Sequence, residues 1–121
     1  MPAITLTGSS LNVELSFWER IGSLSSDISV PLTAVVHATD DPSFIRHGLG
    51  FRTGGTGMPG FVAEGHFRKN GNRIFANWRR GEQVVVIDLQ GQKWDKLAIG
   101  CSDAKALATQ INTAIAGIAN N

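Results

Sequence analysis

Three histidines (His37, His47 and His66), the single cysteine Cys101 and the adjacent carboxylates Asp40 and Asp41 are the side chains in this sequence best suited to nucleophilic, acid–base or metal chemistry. Their spacing does not assemble them. Zinc sites draw on ligand pairs a few residues apart, and no histidine here has a second histidine or cysteine at that distance. No G-x-S-x-G nucleophile elbow occurs. Cys101 precedes a predicted helix, whose N-terminus can lower a thiol's pKa, although a strand-to-helix junction also simply suits a small residue. Pro42 makes Asp40-Asp41 a turn and helix cap before it is an acid–base pair. No nucleophile, base and orienting group are drawn together. The expectation is a non-enzymatic chain with no metal and no cofactor.

The cations are more organised. Residues 46 to 80 hold seven arginine or lysine residues against Glu64 alone, a net charge of +6, and the remainder carries −5. A basic middle in an otherwise acidic chain can attract an anionic surface. Hairpin turns and strand edges also collect arginine and lysine, which keep them soluble and block edge pairing. Within this region, His47 to Gly60 contains six glycines in fourteen residues. Gly55 to Gly60 matches G-x-G-x-x-G letter for letter, but a dinucleotide fingerprint needs a helix after it, and Pro59 disfavours helix at Met58. The 48–60 segment is instead expected to be a loop. Such a loop can cup an anion in a nest of backbone N–H groups, or use Pro59-Gly60 as a type II turn and its other glycines for close approach. The candidate anion-binding set is Arg46, Arg52, Thr53, Gly54, Gly55, Gly57, Arg68, Lys69 and Arg73. The loop enters the next strand at Phe61, whereas the Asn70-Gly71 turn lies at that strand's far end. At about 3.3 Å per residue the two clusters are expected roughly 25 Å apart, as two weak sites or a diffuse field.

The elements that must position these residues are mostly strands. Phe61–Arg68 and Arg73–Trp78 flank Lys69-Asn70-Gly71-Asn72, and Asn-Gly between extended runs is a strong type I′ hairpin signal. Arg80-Gly81 and Gln90-Gly91 separate Trp78 from Val84–Ile87 and that run from Trp94–Ile99. This pitch predicts a four-stranded antiparallel meander over 61–99. Ala104, Leu107, Ala108, Ile111, Ile115 and Ile118 then form one apolar stripe of a helix over about 103–118, with Ser102 available as cap and Asp103 favoured by the dipole. Upstream, Ile4–Leu6 and Leu11–Leu15 read as a hairpin, and Ser16 to Glu19 has capping-box spacing, so 17–24 is either a short helix or continued strand. Ile28–Val30 and Thr33–Ala38 read as strands. Asp41-Pro42 through Gly48 frames one helical turn, with Asp41 as cap and Pro42 at the first helical position.

The 121 residues, 42% hydrophobic and 17% charged, suit one domain spanning 1–121. The expected fold class is mainly β (α+β): about seven antiparallel strands in a partly open barrel or sandwich, capped by one C-terminal amphipathic helix. No apolar run reaches membrane-spanning length, and Met1–Thr5 lacks the basic head of a signal peptide. One cysteine permits no internal disulfide, so a cytoplasmic location is expected. A net charge of +1 argues against nucleic acid.

The segment Arg52-Thr53-Gly54-Gly55-Thr56-Gly57-Met58-Pro59-Gly60, with Gly65, Val84–Leu89 and the helix start at Ser102, resembles a group of small bacterial proteins with a pleckstrin-homology-like domain. They share an R-x-x-G-T-G-[LM]-P-G segment, a β-meander and a terminal amphipathic helix. Members of that group carry Asp-Pro where this chain has Ser102-Asp103. The resemblance implies the fold and a non-enzymatic role, and no ligand. Two functions follow as expectations: a protein-interaction or self-assembly module, with Trp18, Trp78 and Trp94 as candidate surface anchors, or a peripheral binder of anionic lipid headgroups or phosphorylated ligands through residues 46–80.

Overall fold

The computed structural model describes residues 2–23, 26–58 and 62–119. Nine strands, in two sheets, occur among them, where about seven were expected. The first sheet contains β1 (Ala3–Leu6), β2 (Ser10–Glu14) and β3 (Ile28–Pro31), all antiparallel. The second runs β4-β8-β9-β7-β6-β5, with β4 at Val35–Asp40, β5 at Phe51–Met58, β6 at Val62–Lys69, β7 at Asn72–Arg79, β8 at Gln83–Leu89 and β9 at Lys96–Cys101. The described residues form no closed barrel. The described residues also form three α-helices: α1 (Phe17–Ser23), α2 (Phe44–His47) and α3 (Ala104–Ala119).

The four strands expected over 61–99 are present, but their order is not a meander. β9 inserts between β7 and β8, parallel to β7 (Phe75 beside Leu97) and antiparallel to β8 (Ile87 beside Leu97). The reason is two-sided burial. Leu97, Ala98 and Ile99 are all 0% exposed; Leu97 and Ile99 lie in one apolar cluster and Ala98 in the other. A strand apolar on both faces belongs at a sheet's centre. The connection 80–82 therefore crosses over β9, and at the crossing stands Gly100, where a side chain would collide with the Glu82 carboxylate.

The larger core lies between the two sheets and α3. Leu11, Val13, Ile28 and Val30 meet Phe75, Val85, Ile87, Leu97 and Ile99, and Ile111 of α3 closes it. The smaller core, on the opposite face, gathers Phe67, Ile74, Ala76, Val84, Val86 and Ala98 under Phe44 and Leu49. Helix α3 packs as its stripe requires: Ile111 is wholly buried, and Leu107 and Ile115 half-buried against the same core. Its cap is Asp103, not Ser102: Asp103 Oδ1 accepts the Ala106 N–H at 3.1 Å.

Several local expectations resolve in kind. Residues 17–23 are helical, closed by the capping box: Ser16 N–H donates to Glu19 Oε1 at 2.8 Å and Glu19 N–H to Ser16 Oγ at 3.3 Å. Thr33 is not in a strand; Leu32–Ala34 form a 3₁₀ turn and β4 starts at Val35. Pro42 is not the first helical residue, because α2 begins at Phe44, and Asp41 instead accepts from both Ser43 N (3.2 Å) and Oγ (2.7 Å). Asn70 and Gly71 have φ of 53° and 82°, as the type I′ turn demands.

The glycine-rich segment is the largest correction. Residues 51–58 are not a loop but β5, an edge strand paired along β6 from Phe51–Arg68 to Met58–Val62. Pro59 and Gly60, with their expected turn, lie outside the described residues. Gly55 and Gly65 sit opposite each other with φ of 102° and 133°. A side chain at either would run into the partner strand's backbone. The glycines thus bring two strands together where L-residues cannot follow.

Two stability outcomes test this architecture. Ile111→Ala should lower the unfolding free energy by about 2–5 kcal/mol in denaturant titration. Gly65→Ala should cost at least about 1–3 kcal/mol from backbone strain and collision, while Gly8→Ala, where space is open, should stay within about 0.5 kcal/mol.

Candidate functional site

The β5–β6 pairing decides where the expected anion ligands go. Because β5 runs back along β6, Arg52 lies beside Phe67 and next to Arg68, one strand away. The expected separation of roughly 25 Å assumed that the segment stayed a loop, and it does not hold. Register still divides the cations. Arg68 and Arg73 are direct cross-strand partners, as are Lys69 and Asn72, so strand alternation sends Arg68 and Arg73 to the face opposite Lys69 and Arg52. Gly54, Gly55 and Gly57 belong to a strand ladder, where successive N–H groups alternate in direction and do not converge on one anion. Arg46 lies on α2, with its side chain outside the described part.

Three of the expected residues do meet. Thr53, Arg68 and Arg73 line a cleft of about 400 Å³ together with His66, Lys93 and Trp94. A bulge between Arg52 and Gly54 places Thr53 there, with its hydroxyl donating to the His66 carbonyl at 3.2 Å. The connection before β9 supplies the other wall. Asp95 accepts the Arg73 N–H at 2.8 Å and its N–H donates back to the Arg73 carbonyl at 2.7 Å. The Arg73 guanidinium donates to the Gln92 carbonyl at 3.0 Å and lies 3.7 Å from Asp95. Trp94 Nε1–H donates to His66 Nδ1 at 3.2 Å, and Lys93 Nζ sits 4.9 Å from the Trp94 ring centroid. Indole nitrogen is a donor only, so this bond leaves the His66 proton on Nε2. Sequence reasoning named His66 and Trp94 in other roles and missed Lys93, because only the parallel β7–β9 pairing, Ile74 beside Lys96, carries the 90–95 connection to the hairpin that holds His66, Arg68 and Arg73.

A second surface lies on the same sheet face, over the other half of β5–β7. Here α1 rests on polar groups. Glu19 and Ser23 are 4% and 0% exposed, and beneath the helix lie Glu64 and Asn77, cross-strand partners each 1% exposed. A side chain at Gly22 would collide with the Glu64 carboxylate, and the Thr56 hydroxyl donates to the Gly22 carbonyl at 3.0 Å. Burial, the largest single effect, pushes the Glu19 carboxyl up, but the lowering effects together, the bond from Ser16 N–H first among them, hold the group below the usual carboxylate range. Glu64 is charge-paired with Arg79 Nε at 2.7 Å, at an angle outside that of a hydrogen bond. Asn77 Nδ2 is buried without a hydrogen-bond partner among the described residues.

The outward side of α1 carries two large apolar side chains beside Arg20. Trp18 is 72% and Ile21 52% exposed, and with Val36 they are the exposed large hydrophobics among the described residues. The other two tryptophans are half-buried: Trp78 packs on the smaller core with its N–H on the Glu82 carbonyl at 2.8 Å, and Trp94 packs on the larger. Cys101 is buried at the end of β9, and burial pushes its thiol up, away from the thiolate form. No helix among the described residues is long and apolar enough to cross a membrane.

Because Glu64 is buried and Arg79 is its charge partner, the two ends of the pair should respond unequally. Arg79→Met leaves a buried carboxylate alone and should cost on the order of 3 kcal/mol, whereas Arg79→Met combined with Glu64→Gln should recover most of that loss in a double-mutant cycle.

Comparison with known proteins returns no match, whether to protein-family models, to curated proteins or to solved structures.

Proposed function

We propose that the chain is a non-enzymatic protein-interaction module and that the outward face of α1 is its docking surface. The inverted polarity of α1 carries this reading. A helix at the surface of a globular protein normally turns its apolar stripe inward. Here Glu19 and Ser23 are buried while Trp18 and Ile21, one turn apart, face solvent. Burying such side chains is worth about 1.5–3 kcal/mol each, and tryptophan is over-represented among residues that anchor interfaces. The strands under α1 belong to the basic part of the chain, and Arg79 beside it is more than half exposed. The partner is therefore a protein that presents an apolar pocket within an acidic surface. The resemblance of the 52–60 segment to bacterial pleckstrin-homology-like proteins adds a non-enzymatic expectation to this reading.

Affinity capture from a lysate of the source cells, repeated with Trp18→Ser and Ile21→Ser, tests it. The wild-type chain should retain a protein that each variant loses by about tenfold or more, with retention falling as salt rises. Far-ultraviolet circular dichroism should show both variants folded. A wild-type chain that retains nothing the variants lose overturns the proposal, as does α1-dependent binding to anionic vesicles in place of a protein.

A further inference from the structure

We infer that the cleft between the Asn70-Gly71 turn and the 90–95 connection is a binding site for a phosphomonoester. Arg68 and Arg73 stand directly opposite each other on β6 and β7, an arrangement of like charges that destabilises a strand pair unless something neutralises it. Asp95 answers Arg73 in part, at 3.7 Å from its Nε. Arg68 and Lys93 have no acidic partner among the described residues, although both line the same cleft. His66 adds a directed donor: its Nδ1 is occupied by the Trp94 N–H, so Nε2 carries the proton, and no described acceptor takes it.

The charge count selects the class of ligand. Arg68, Arg73 and Lys93 against Asp95 leave an excess of about two positive charges, which matches a phosphomonoester at neutral pH, with its charge of about −1.5 to −2. A carboxylate or a phosphodiester carries a single negative charge and leaves one cation unanswered. Arginine also presents a planar fork of donors that fits phosphate oxygens, and two arginines from adjacent strands can offer two such forks. The site is preformed. Arg73 is held by Gln92 and Asp95, Trp94 by His66 and the core, and Lys93 by the Trp94 ring. The cleft, at about 400 Å³, has room for a phosphate and a small organic group against the Trp94 wall. A soluble phosphate ester and a lipid headgroup ending in phosphate present the same chemistry here.

Titrating the ¹⁵N-labelled full chain with glycerol 3-phosphate, at ionic strength held constant with chloride, tests the site directly. Saturating amide shifts should be confined to Thr53, His66, Arg68, Arg73 and residues 93–95. Arg68→Gln and Lys93→Gln should each weaken binding by about tenfold, and Lys105→Gln on α3 should leave it unchanged. Sedimentation with phosphatidate and with phosphatidylglycerol vesicles separates the two sources. Binding to phosphatidate alone, lost in Arg68→Gln, supports the site with a lipid headgroup; binding to the soluble ester without vesicle binding supports it with a free ligand. Shifts scattered over exposed cations without saturation, an unchanged dissociation constant in Arg68→Gln and Lys93→Gln, or no binding in either arm overturns the inference. These variants leave Trp18 and Ile21 intact, so the result is independent of protein docking at α1.

Discussion

The structure depends on the burial of β9 from both sides. Leu97 and Ile99 face one core and Ala98 the other, and only a central place in the six-stranded sheet removes all three from water. That requirement outweighs the local preference of β7 and β8, joined by only three residues, to pair as a hairpin. The crossover, the absence of a side chain at Gly100 and the start of α3 beneath β8, where Ala104 N–H donates to the Gln83 carboxamide at 2.9 Å, all follow from it. So does the cleft. A strand running parallel to β7 must begin beside the β6–β7 turn, and the connection leading into it brings Lys93, Trp94 and Asp95 against Arg73 and His66.

The region around α1 obeys a different economy. Elsewhere the cores are apolar, yet the buried polar side chains Glu19, Ser23, Glu64 and Asn77 concentrate under or within this one helix. Buried charges cost desolvation free energy that ion pairing only partly offsets, and Asn77 Nδ2 has no hydrogen-bond partner among the described residues. Sequences break local rules chiefly at functional sites, and α1 breaks two at once, with polar groups inward and Trp18 and Ile21 outward. The polar underside fixes α1 by specific contacts, the capping box and the Thr56–Gly22 bond, without drawing its apolar side chains into the core. Both stay more than half exposed.

The basic middle of the chain is thereby divided by geometry. Arg79 serves the buried Glu64 at one end of the sheet, and Arg68 and Arg73 frame the cleft at the other. Arg52 and Lys69 alternate to the opposite face. A single count of +6 in the sequence thus resolves into a structural ion pair, a cleft and scattered surface charge.

What the sequence by itself determined was local. The Asn70-Gly71 turn, the positive φ of Gly81 and Gly91, the capping box at Ser16 and the apolar stripe of α3 each depend on residues a few positions apart, and each is present. Order in the sheet and the content of the cleft were not legible, because they rest on pairings between residues distant in the chain. A three-residue link between strands looks the same whether the strands pair or a third comes between them. The 51–58 segment reads as a loop from its sequence for a related reason: glycine lowers intrinsic strand preference, and only the facing Gly65 on β6 makes Gly55 suitable for a strand. Whether a tryptophan serves as core or surface was likewise settled in three dimensions. Trp94 lies against Phe75 and Trp78 against the smaller core, while Trp18 stays in water because the side of α1 turned to the sheet meets carboxylate and amide groups.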